Sequence, residues 1–266
     1  MLPFRIGTSS YIITEDILPN VRFLAGKVRD VELVLFEFDD GTSNLPGPEL
    51  IEELNRLALA NDMSYTVHLP LDLRLGADGG EQHVSLFKAH RVIEATRALH
   101  PWAYVLHLDG KEVQQGAAAE DLARWQDRSA RALELVAGWA GSPSLLAVEN
   151  LEGYPVNFLD AVLARVPVSR CVDVGHLWCD GHAPLPFLAQ ALPRTRVIHI
   201  HGIDGRDHKS LAHVPPEQLD LVLRFLLEKR YSGVLTLEIF SEEDFNSSLH
   251  AMADSLARIG SEVGKE

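Results

Sequence analysis

The sequence predicts one α/β domain, a (β/α)₈ barrel spanning residues 1–266, and three observations support this prediction. First, eight short runs rich in β-branched and aromatic residues alternate with stretches in which apolar positions recur every three or four residues. Eight parallel strands close such a barrel. Second, 266 residues with 46% hydrophobic and 23% charged residues suffice for one large core. Third, the strand-to-helix turns carry no glycine-rich dinucleotide fingerprint and no Walker A loop, which disfavours an open doubly wound sheet.

The predicted elements follow one another without a Gly/Ser linker or a low-complexity tract. Pro216 near the start of the predicted helix that follows the seventh strand and Gly233 after the end of this helix fit the usual punctuation of helices. We expect strands at Phe4–Thr8, Val31–Phe38, Tyr65–Leu69, Tyr104–Leu108, Leu145–Asn150, Arg170–Val174, Arg196–His201 and Val234–Phe240. We expect helices at Glu49–Ala60, Leu86–Leu99, Leu122–Trp139, Phe158–Arg165, Pro186–Leu192, Leu219–Lys229 and Asp244–Ile259.

The composition narrows the classes of partner. The formal net charge of −14 repels nucleic-acid phosphates and anionic lipid, and no run of Lys and Arg offsets it. We therefore expect a small-molecule substrate, with neither nucleic acid nor membrane as a partner. Cys171 and Cys179 form no disulfide framework, and the N-terminus lacks the pattern of a signal peptide, so a cytoplasmic location is expected. The oligomeric state stays open.

Polar residues recur towards the carboxyl ends of the predicted strands, where barrel enzymes place their active sites. A single strand histidine is more often a hydrogen-bonded core residue than a metal ligand. The predicted strands are otherwise apolar and contain few Lys or Arg residues that could pair with these acidic and histidine side chains. Burying several such groups unpaired is costly, and a bound cation would satisfy them together. The sequence therefore predicts a divalent-metal site among Glu37, His68, His107, Glu149, Asp173, His176, His199, His201 and Glu238.

Four of these positions form the expected core of the site. Glu149, Asp173 and Glu238 come from the fifth, sixth and eighth predicted strands, and the seventh supplies one histidine. Because side chains alternate along a strand, His199 and His201 face the same side, and the sequence leaves open which one reaches the metal. The position of His201 nearer the carboxyl end of the strand favours it.

Other residues extend the site to more than one cation. His68 and His107 are expected to join Glu149 around a second metal, and His176 to join Asp207 and His208 around a third. Asp207 and His208 alternatively form a solvated loop tip. Metals roughly 3.5–4 Å apart activate a water molecule and clamp the oxygens of a phosphodiester, which favours hydrolysis. Trp102, Trp178 and Phe240 either line an apolar pocket or pack within the barrel.

Five sequence runs resemble the xylose-isomerase-like barrel superfamily, which also contains endonuclease IV and many sugar epimerases and isomerases. The resemblance covers essentially the whole chain and is carried by VHLPLDLRLG, VENLEG, VDVGHLW, HIHG and LEIF. It implies that Glu149, Asp173, the histidine of the seventh strand and Glu238 bind metal. It also implies that His176 occupies a position that contacts substrate in the epimerases and metal in endonuclease IV.

A narrower resemblance links the chain to the cobamide-remodelling phosphodiesterases, which open the nucleotide loop of vitamin B12-like corrinoids. It is carried by GTSSYIITEDILPNV, HPWAYVLHLDG, GHLWCDGH and HGIDGRDHKSLAHVPP. The resemblance implies a cobamide substrate and cleavage of a phosphodiester linkage to the lower-ligand nucleoside. Asp207 and His208 are adjacent, whereas endonuclease IV separates its equivalent ligands by one residue, which puts the geometry of a third metal in question.

Two enzyme classes follow from this set. The first is a phosphodiester hydrolase with two or three zinc-like ions, in which Glu149, Glu238 and His176 are catalytic. The alternative is a sugar or sugar-phosphate isomerase or epimerase with one Mn²⁺ or Mg²⁺, in which Glu149 and Glu238 are both ligands and bases. A binding barrel without catalysis would not need the full ligand set. The expected substrate contacts are Glu37, Arg206 and Trp178, although Arg206 is equally expected at the surface.

Overall fold

Eight parallel strands close into a barrel in chain order in the computed structural model, which describes residues 2–38 and 41–263. Each strand pairs with the next one, and the eighth strand pairs with the first through Arg5–Val234 to Thr8–Leu237. The predicted (β/α)₈ fold is therefore confirmed. The strands are β1 Arg5–Ser9, β2 Asp30–Val34, β3 Ser64–His68, β4 Tyr104–Leu106, β5 Leu146–Glu149, β6 Ser169–Asp173, β7 Thr195–Ile200 and β8 Val234–Leu237.

Two helices of the described chain, the first and the sixth, were not predicted from the sequence. Pro19 lies in the first turn of the first helix, where a missing N–H costs no hydrogen bond. The sixth helix starts directly after β6 and is capped by Asp173, which accepts a hydrogen bond from the His176 N–H at 2.7 Å. The helices are α1 Ile17–Leu24, α2 Pro48–Asn61, α3 Val84–Thr96, α4 Ala119–Ala140, α5 Asp160–Leu163, α6 Val174–Cys179, α7 Pro184–Ala191, α8 Pro216–Glu228 and α9 Glu242–Val263.

β2 ends at Val34, four residues before the predicted end of the strand. The side chain of Asn44 takes over the role of a neighbouring strand there. Its Oδ1 accepts a hydrogen bond from the Phe36 N–H at 2.7 Å, and its Nδ2 donates to the Val34 carbonyl at 3.1 Å. Glu37 consequently lies in a loop beyond the strand, and Phe240 lies beyond β8 in the same way.

Side chains alternate along each strand, so residues two apart stand at successive levels of the barrel interior, and two of these levels bear on the site. The lower layer is a small apolar cluster of Ala103, Val105, Ala147, Cys171 and Val197. Two residues further along four of these strands stand His107, Glu149, Asp173 and His199. Small apolar residues thus support a polar layer at the carboxyl ends of the strands.

Trp102 lies at the lower end of the barrel and therefore packs within the fold. Its Nε1–H donates to the Arg196 carbonyl at 3.0 Å, and the Arg196 guanidinium lies 4.4 Å from the centre of the indole ring. Within the described part of the chain, no helix combines the length and the apolar character needed to cross a bilayer.

Candidate metal centre

Six histidines and three carboxylates meet at the carboxyl ends of β3 to β8, and we call them the strand-end cluster. Their donor atoms form three groups in which all atoms lie within 4.8 Å of one another. Glu149 belongs to two of these groups. The first group is His68, His107 and Glu149; the central group is Glu149, Asp173, His199 and Glu238; the rim group is His176, His201 and His208.

The central group is buried and contains His199, whereas the sequence had favoured His201. The Nδ1 atom of His199 lies 3.3 Å from Glu149 Oε1 and 3.2 Å from Glu238 Oε2. Strand register explains the difference, because Asp173 of β6 pairs with His199 of β7 and the two residues stand at one level. His201 lies two residues beyond that level, towards the rim.

The first group assembles as the sequence predicted. His107 Nε2 lies 3.2 Å and His68 Nε2 lies 3.6 Å from Glu149 Oε2. The other oxygen of Glu149 faces His199 in the central group. One carboxylate therefore stands between two sets of nitrogen donors, as a bridging ligand would.

The rim group differs from the prediction, because His201 stands in the place expected for Asp207. The Asp207 carboxylate lies behind the His208 ring, with Oδ2 at 3.0 Å from His208 Nδ1. The His201 and His208 rings stack with their centres 4.5 Å apart. Gly175 makes room for this arrangement, since a Cβ atom at residue 175 would lie 2.2 Å from His201 Nε2.

Each histidine of the cluster has one ring nitrogen next to an outer oxygen that can only accept a hydrogen bond. For five of the six histidines, such an acceptor keeps the N–H on the outer nitrogen and leaves the other nitrogen with its lone pair, as a metal ligand requires. His201 differs, because its Nδ1 also accepts a hydrogen bond from the His208 N–H at 3.0 Å, which competes with the Gly202 carbonyl for this nitrogen. The pairs are His68 with the Leu69 carbonyl at 2.9 Å, His107 with Asp72 at 3.2 Å, His176 with the Asn150 carbonyl at 3.0 Å, His199 with Glu32 at 2.9 Å, His201 with the Gly202 carbonyl at 3.1 Å and His208 with Asp207 at 3.0 Å.

Four buried atoms of the cluster have no hydrogen-bond partner within the described residues. They are Glu149 Oε1, Asp173 Oδ2, His199 Nδ1 and His201 Nε2. An unpartnered buried polar atom is costly, and native proteins rarely leave several together. A cation in the central group would satisfy Glu149 Oε1, Asp173 Oδ2 and His199 Nδ1, and one in the rim group would satisfy His201 Nε2, so the donor set fits divalent metals. The six imidazoles favour zinc over magnesium.

The cluster also shifts its own proton equilibria. Burial opposes ionisation of Glu149, but the charges of His199 and His107 outweigh it and hold the pKa of this carboxyl well below its usual range. Burial lowers the pKa of His107, but Glu149 and Asp72 together raise it to about 10. The pKa of His208 is raised to about 9, because hydrogen bonding and charge from Glu238 exceed the effect of burial. A bound cation would compete with protons for these nitrogen and carboxylate atoms.

A cleft opens above the cluster. One cavity of about 430 Å³ is lined by members of all three groups together with Lys111, Tyr154 and Phe240. A second cavity of about 500 Å³ adjoins it and has Phe36, Phe38 and Leu71 in its wall. Both cavities share His68, Asp72 and His107. The cleft is therefore long, and large apolar side chains stand in the wall of its second cavity beside Glu37 and Lys88.

The three expected substrate contacts lie in different places. Glu37 lines the second cavity, where its carboxylate pairs with Arg91 at 2.6 Å. Trp178 lines a separate cavity of about 690 Å³ that also includes Leu221 of α8, so it does not line the cleft. Arg206 is exposed in the loop after β7. Only Glu37 is placed on a wall of the cleft.

Glu32, Asp72 and Tyr154 were not predicted from the sequence as residues of the site. Glu32 is fully buried and lies next to His199, and Asp72 and Tyr154 line the cleft. Glu32 had a usable signal, because it is an acidic residue inside the apolar run VELVLF. Asp72 and Tyr154 stand in loops, where no periodicity shows which way a side chain points.

Comparisons with known proteins agree with the fold. The model of the xylose isomerase-like TIM barrel family matches residues 27–261, and no curated protein matches the chain. A D-tagatose 3-epimerase-like protein is 18% identical over 98% of this chain and 100% of its own, with a TM-score of 0.74. Endonuclease IV from Thermus thermophilus is 19% identical over 96% and 99%, with a TM-score of 0.66. TTHB071 from the same organism, in a structure soaked with ZnCl₂, is 20% identical over 97% and 99%, with a TM-score of 0.65.

Proposed function

Since the chain belongs to the xylose isomerase-like TIM barrel family, we propose that it is a metal-dependent phosphodiester hydrolase that opens the nucleotide loop of cobamides. One observation carries the proposal: three ligand groups meet at one barrel mouth, and Glu149 joins two of them. A single cation needs only one such group. Three adjacent groups favour two or three zinc-like ions.

The proposed chemistry follows from the position of the cluster under the cleft. Neighbouring divalent metals, when bound, lower the pKa of a water molecule and neutralise charge on the attacking and leaving oxygens of a phosphodiester. Glu149 fixes the spacing of the first and central groups, because its two oxygens face His107 and His199. Glu238 and His176 also line the cleft. We assign proton transfer at the scissile linkage to Glu238 and His176, and to Glu149 the catalytic role of holding the neighbouring metals.

The shape of the cleft supports a bulky substrate. Its two adjoining cavities, about 430 and 500 Å³, exceed the space that a single sugar fills. Phe38 and Leu71 are exposed in the wall of the second cavity, and large exposed apolar side chains next to a polar site are typical of binding surfaces. A cobamide has both an extended corrin ring and a phosphodiester. The net charge of −14 argues against DNA.

The alternative is a sugar or sugar-phosphate isomerase or epimerase that uses one Mn²⁺ or Mg²⁺. Glu149 and Glu238 favour this reading, because both lie within 3.3 Å of His199 Nδ1 and could act as bases around one metal. Several structural neighbours are named epimerases, among them the D-tagatose 3-epimerase-like protein and L-ribulose 3-epimerase. His68 and His107 have no ligand role in that mechanism.

The experiment compares the two reactions on one preparation. Zinc-loaded protein is incubated with a cobamide, with bis(4-nitrophenyl) phosphate and with a panel of keto-sugars, and a Mn²⁺-loaded sample is run in parallel. We expect loop-opened corrinoid, release of nitrophenol and no sugar turnover. Sugar interconversion with an intact cobamide would reject the hydrolase. Hydrolysis of bis(4-nitrophenyl) phosphate without cleavage of the cobamide would reject the cobamide as substrate but would still support phosphodiester hydrolysis as the reaction.

A further inference from the structure

We propose that Glu32, Asp72 and Asp207 are positioning residues, one for each ligand group, and that their burial ranks the metal sites so that the central site binds first. This inference rests on metal binding at the strand-end cluster, which is part of the proposed function. It does not depend on which reaction the metals support.

Each of these carboxylates holds the outer nitrogen of a histidine in a different group. Asp72 Oδ1 lies 3.2 Å from His107 Nδ1 in the first group. Glu32 Oε2 lies 2.9 Å from His199 Nε2 in the central group, and Asp207 Oδ2 lies 3.0 Å from His208 Nδ1 in the rim group. A carboxylate at this position selects the tautomer, orients the ring and makes the inner nitrogen a better donor. The other three histidines have neutral carbonyl acceptors instead.

Burial distinguishes the three carboxylates. The side chains of Glu32 and His199 are both 0% exposed, whereas Asp72 is 29% and Asp207 is 34% exposed. A charged hydrogen bond is stronger where water is excluded, and solvent weakens the exposed pairs. The Asp72 carboxylate also forms an ion pair with Lys111, whose Nζ lies 3.7 Å from Asp72 Oδ2. This ion pair competes with His107 for the negative charge of Asp72. Glu32 is therefore the strongest of the three partners.

The composition of the groups ranks them in the same order. The central group contains three carboxylates, the first group one, and the rim group none. A divalent cation gains most from the group with the largest negative charge. The number of carboxylates in each group and the burial of the carboxylate behind its histidine give the same ranking. Both predict that the central site binds metal most tightly and the other two more weakly.

Glu32 also lies within reach of His68 and Glu238, so direct ligation is the competing role. The number of sites separates the two roles. A positioning residue changes the affinity of a site when it is replaced, whereas the loss of a ligand removes the site or opens its coordination sphere.

The test uses Glu32→Gln, Asp72→Asn and Asp207→Asn, which keep the shape and an acceptor oxygen but remove the charge. Zinc binding to the full chain is measured in zinc-buffered solutions, and Co²⁺ absorption reports the ligand geometry. We expect stepwise binding in the unaltered protein. Glu32→Gln should weaken the tightest step by about 10–100-fold with the number of sites unchanged. The other two variants should weaken only later steps, by about tenfold or less.

Asp220→Asn is the matched control, because Asp220 is a well-paired carboxylate of α8 that binds Arg258 and no histidine. Its zinc titration should equal that of the unaltered protein. Unchanged affinity in Glu32→Gln, or a loss of one site, would overturn the inference. If Glu32→Gln does not fold, a weakened first step in Asp72→Asn or Asp207→Asn would still overturn it. Ordered zinc binding without phosphodiester cleavage would reject the proposed function alone.

Discussion

Two acidic residues inside the same barrel have opposite proton equilibria. Glu149 lies in the upper layer and Asp30 near the amino end of β2, and both are almost completely buried, at 1% and 0% exposure. The pKa of Glu149 is held well below its usual range, because two histidines outweigh the effect of burial. Burial raises the pKa of Asp30 to about 7, since the hydroxyls of Ser64 and Thr66 and the charge of Arg5 compensate only in part and the charge of Glu32 adds to the rise.

The comparison shows that the partner of a buried acid, and not its depth, decides its charge. Histidines surround the upper acids, so that layer holds anionic ligands ready for cations. Asp30 has a hydroxyl partner instead: Ser64 Oγ donates to its Oδ2 at 2.6 Å. The upper layer is therefore organised for binding, whereas the lower end contains an acid that is half neutral near pH 7.

Replacing Glu149 by Gln should have the largest effect, because this carboxylate serves both the first and the central groups. Even outer partners of a metal ligand are worth 10–100-fold, so we expect activity to fall by more than about 100-fold. Metal content, measured by elemental analysis, should fall by at least one ion. Glu134→Gln, on an exposed position of α4, is the control. Full metal content in Glu149→Gln would contradict its bridging position.

Gly175→Ala should abolish metal binding at the rim group while the first and central groups still bind metal. The new Cβ would lie 2.2 Å from His201 Nε2 and displace the ring. A displacement of about 1 Å can cost about 100-fold in rate. Zinc titration should show the weakest step lost and the tightest step retained. Gly138→Ala is the matched control on α4, where a Cβ meets open space. A rim site that survives in Gly175→Ala would show that His201 is not a ligand.

Asp30→Asn tests the lower end through the dependence of stability on pH. The raised pKa means that the acid stabilises the fold fully below its unfolded value of 3.8, and that this contribution is lost as the pH rises through about 7. The span from 3.8 to about 7 corresponds to at most roughly 4 kcal/mol. Since Asn is neutral throughout, the stability advantage of the variant should grow between pH 5 and pH 8.5.

Urea denaturation with a chelator present measures this advantage without metal effects. Asp220→Asn provides a control in which the stability difference from the unaltered protein should change with pH in the opposite direction. Hydrogen bonding to Arg258 lowers the pKa of Asp220, so this variant should lose stability at neutral pH and approach the unaltered protein in acid. A difference for Asp30→Asn that does not change with pH would show that Asp30 is ionised in the folded protein.

Cys171→Ala should have the smallest effect on metal content and stability. Cys171 lies where the lower apolar cluster meets the strand-end cluster. Cys171 belongs to the lower apolar cluster, yet its sulfur lies within 4.8 Å of donor atoms of Glu149 and His199. Cys171 packs among the apolar side chains of the lower cluster, and burial raises the pKa of its thiol well above the usual range, so we expect it to act as an apolar packing residue. The variant should keep its metal content and lose about 1 kcal/mol of stability. A lost zinc ion would identify Cys171 as a ligand.

Most of the barrel was predictable because its information is local. The alternation of strands and helices appears in the sequence, and His68, His107, Glu149, Asp173 and Glu238 were found from their positions near strand ends. Long-range contacts hid the rest. The end of β2 depends on the Asn44 side chain, and the choice of His199 over His201 depends on the register with β6. The orientation of Asp207 behind His208 depends on how the loop after β7 folds back.

The antiparallel bridge between Gly202 and Lys209 closes the loop that contributes Asp207 and His208. The first and central groups come from the strands or from the residue directly after a strand, whereas this one short segment supplies a donor of the rim group together with its outer acid. Insertion or exchange of a few residues here would alter the donors of the rim group without disturbing the barrel. In the proposed metal site, sequence changes confined to this loop would therefore change how many ions bind, and with that number the chemistry, while related proteins keep the same barrel.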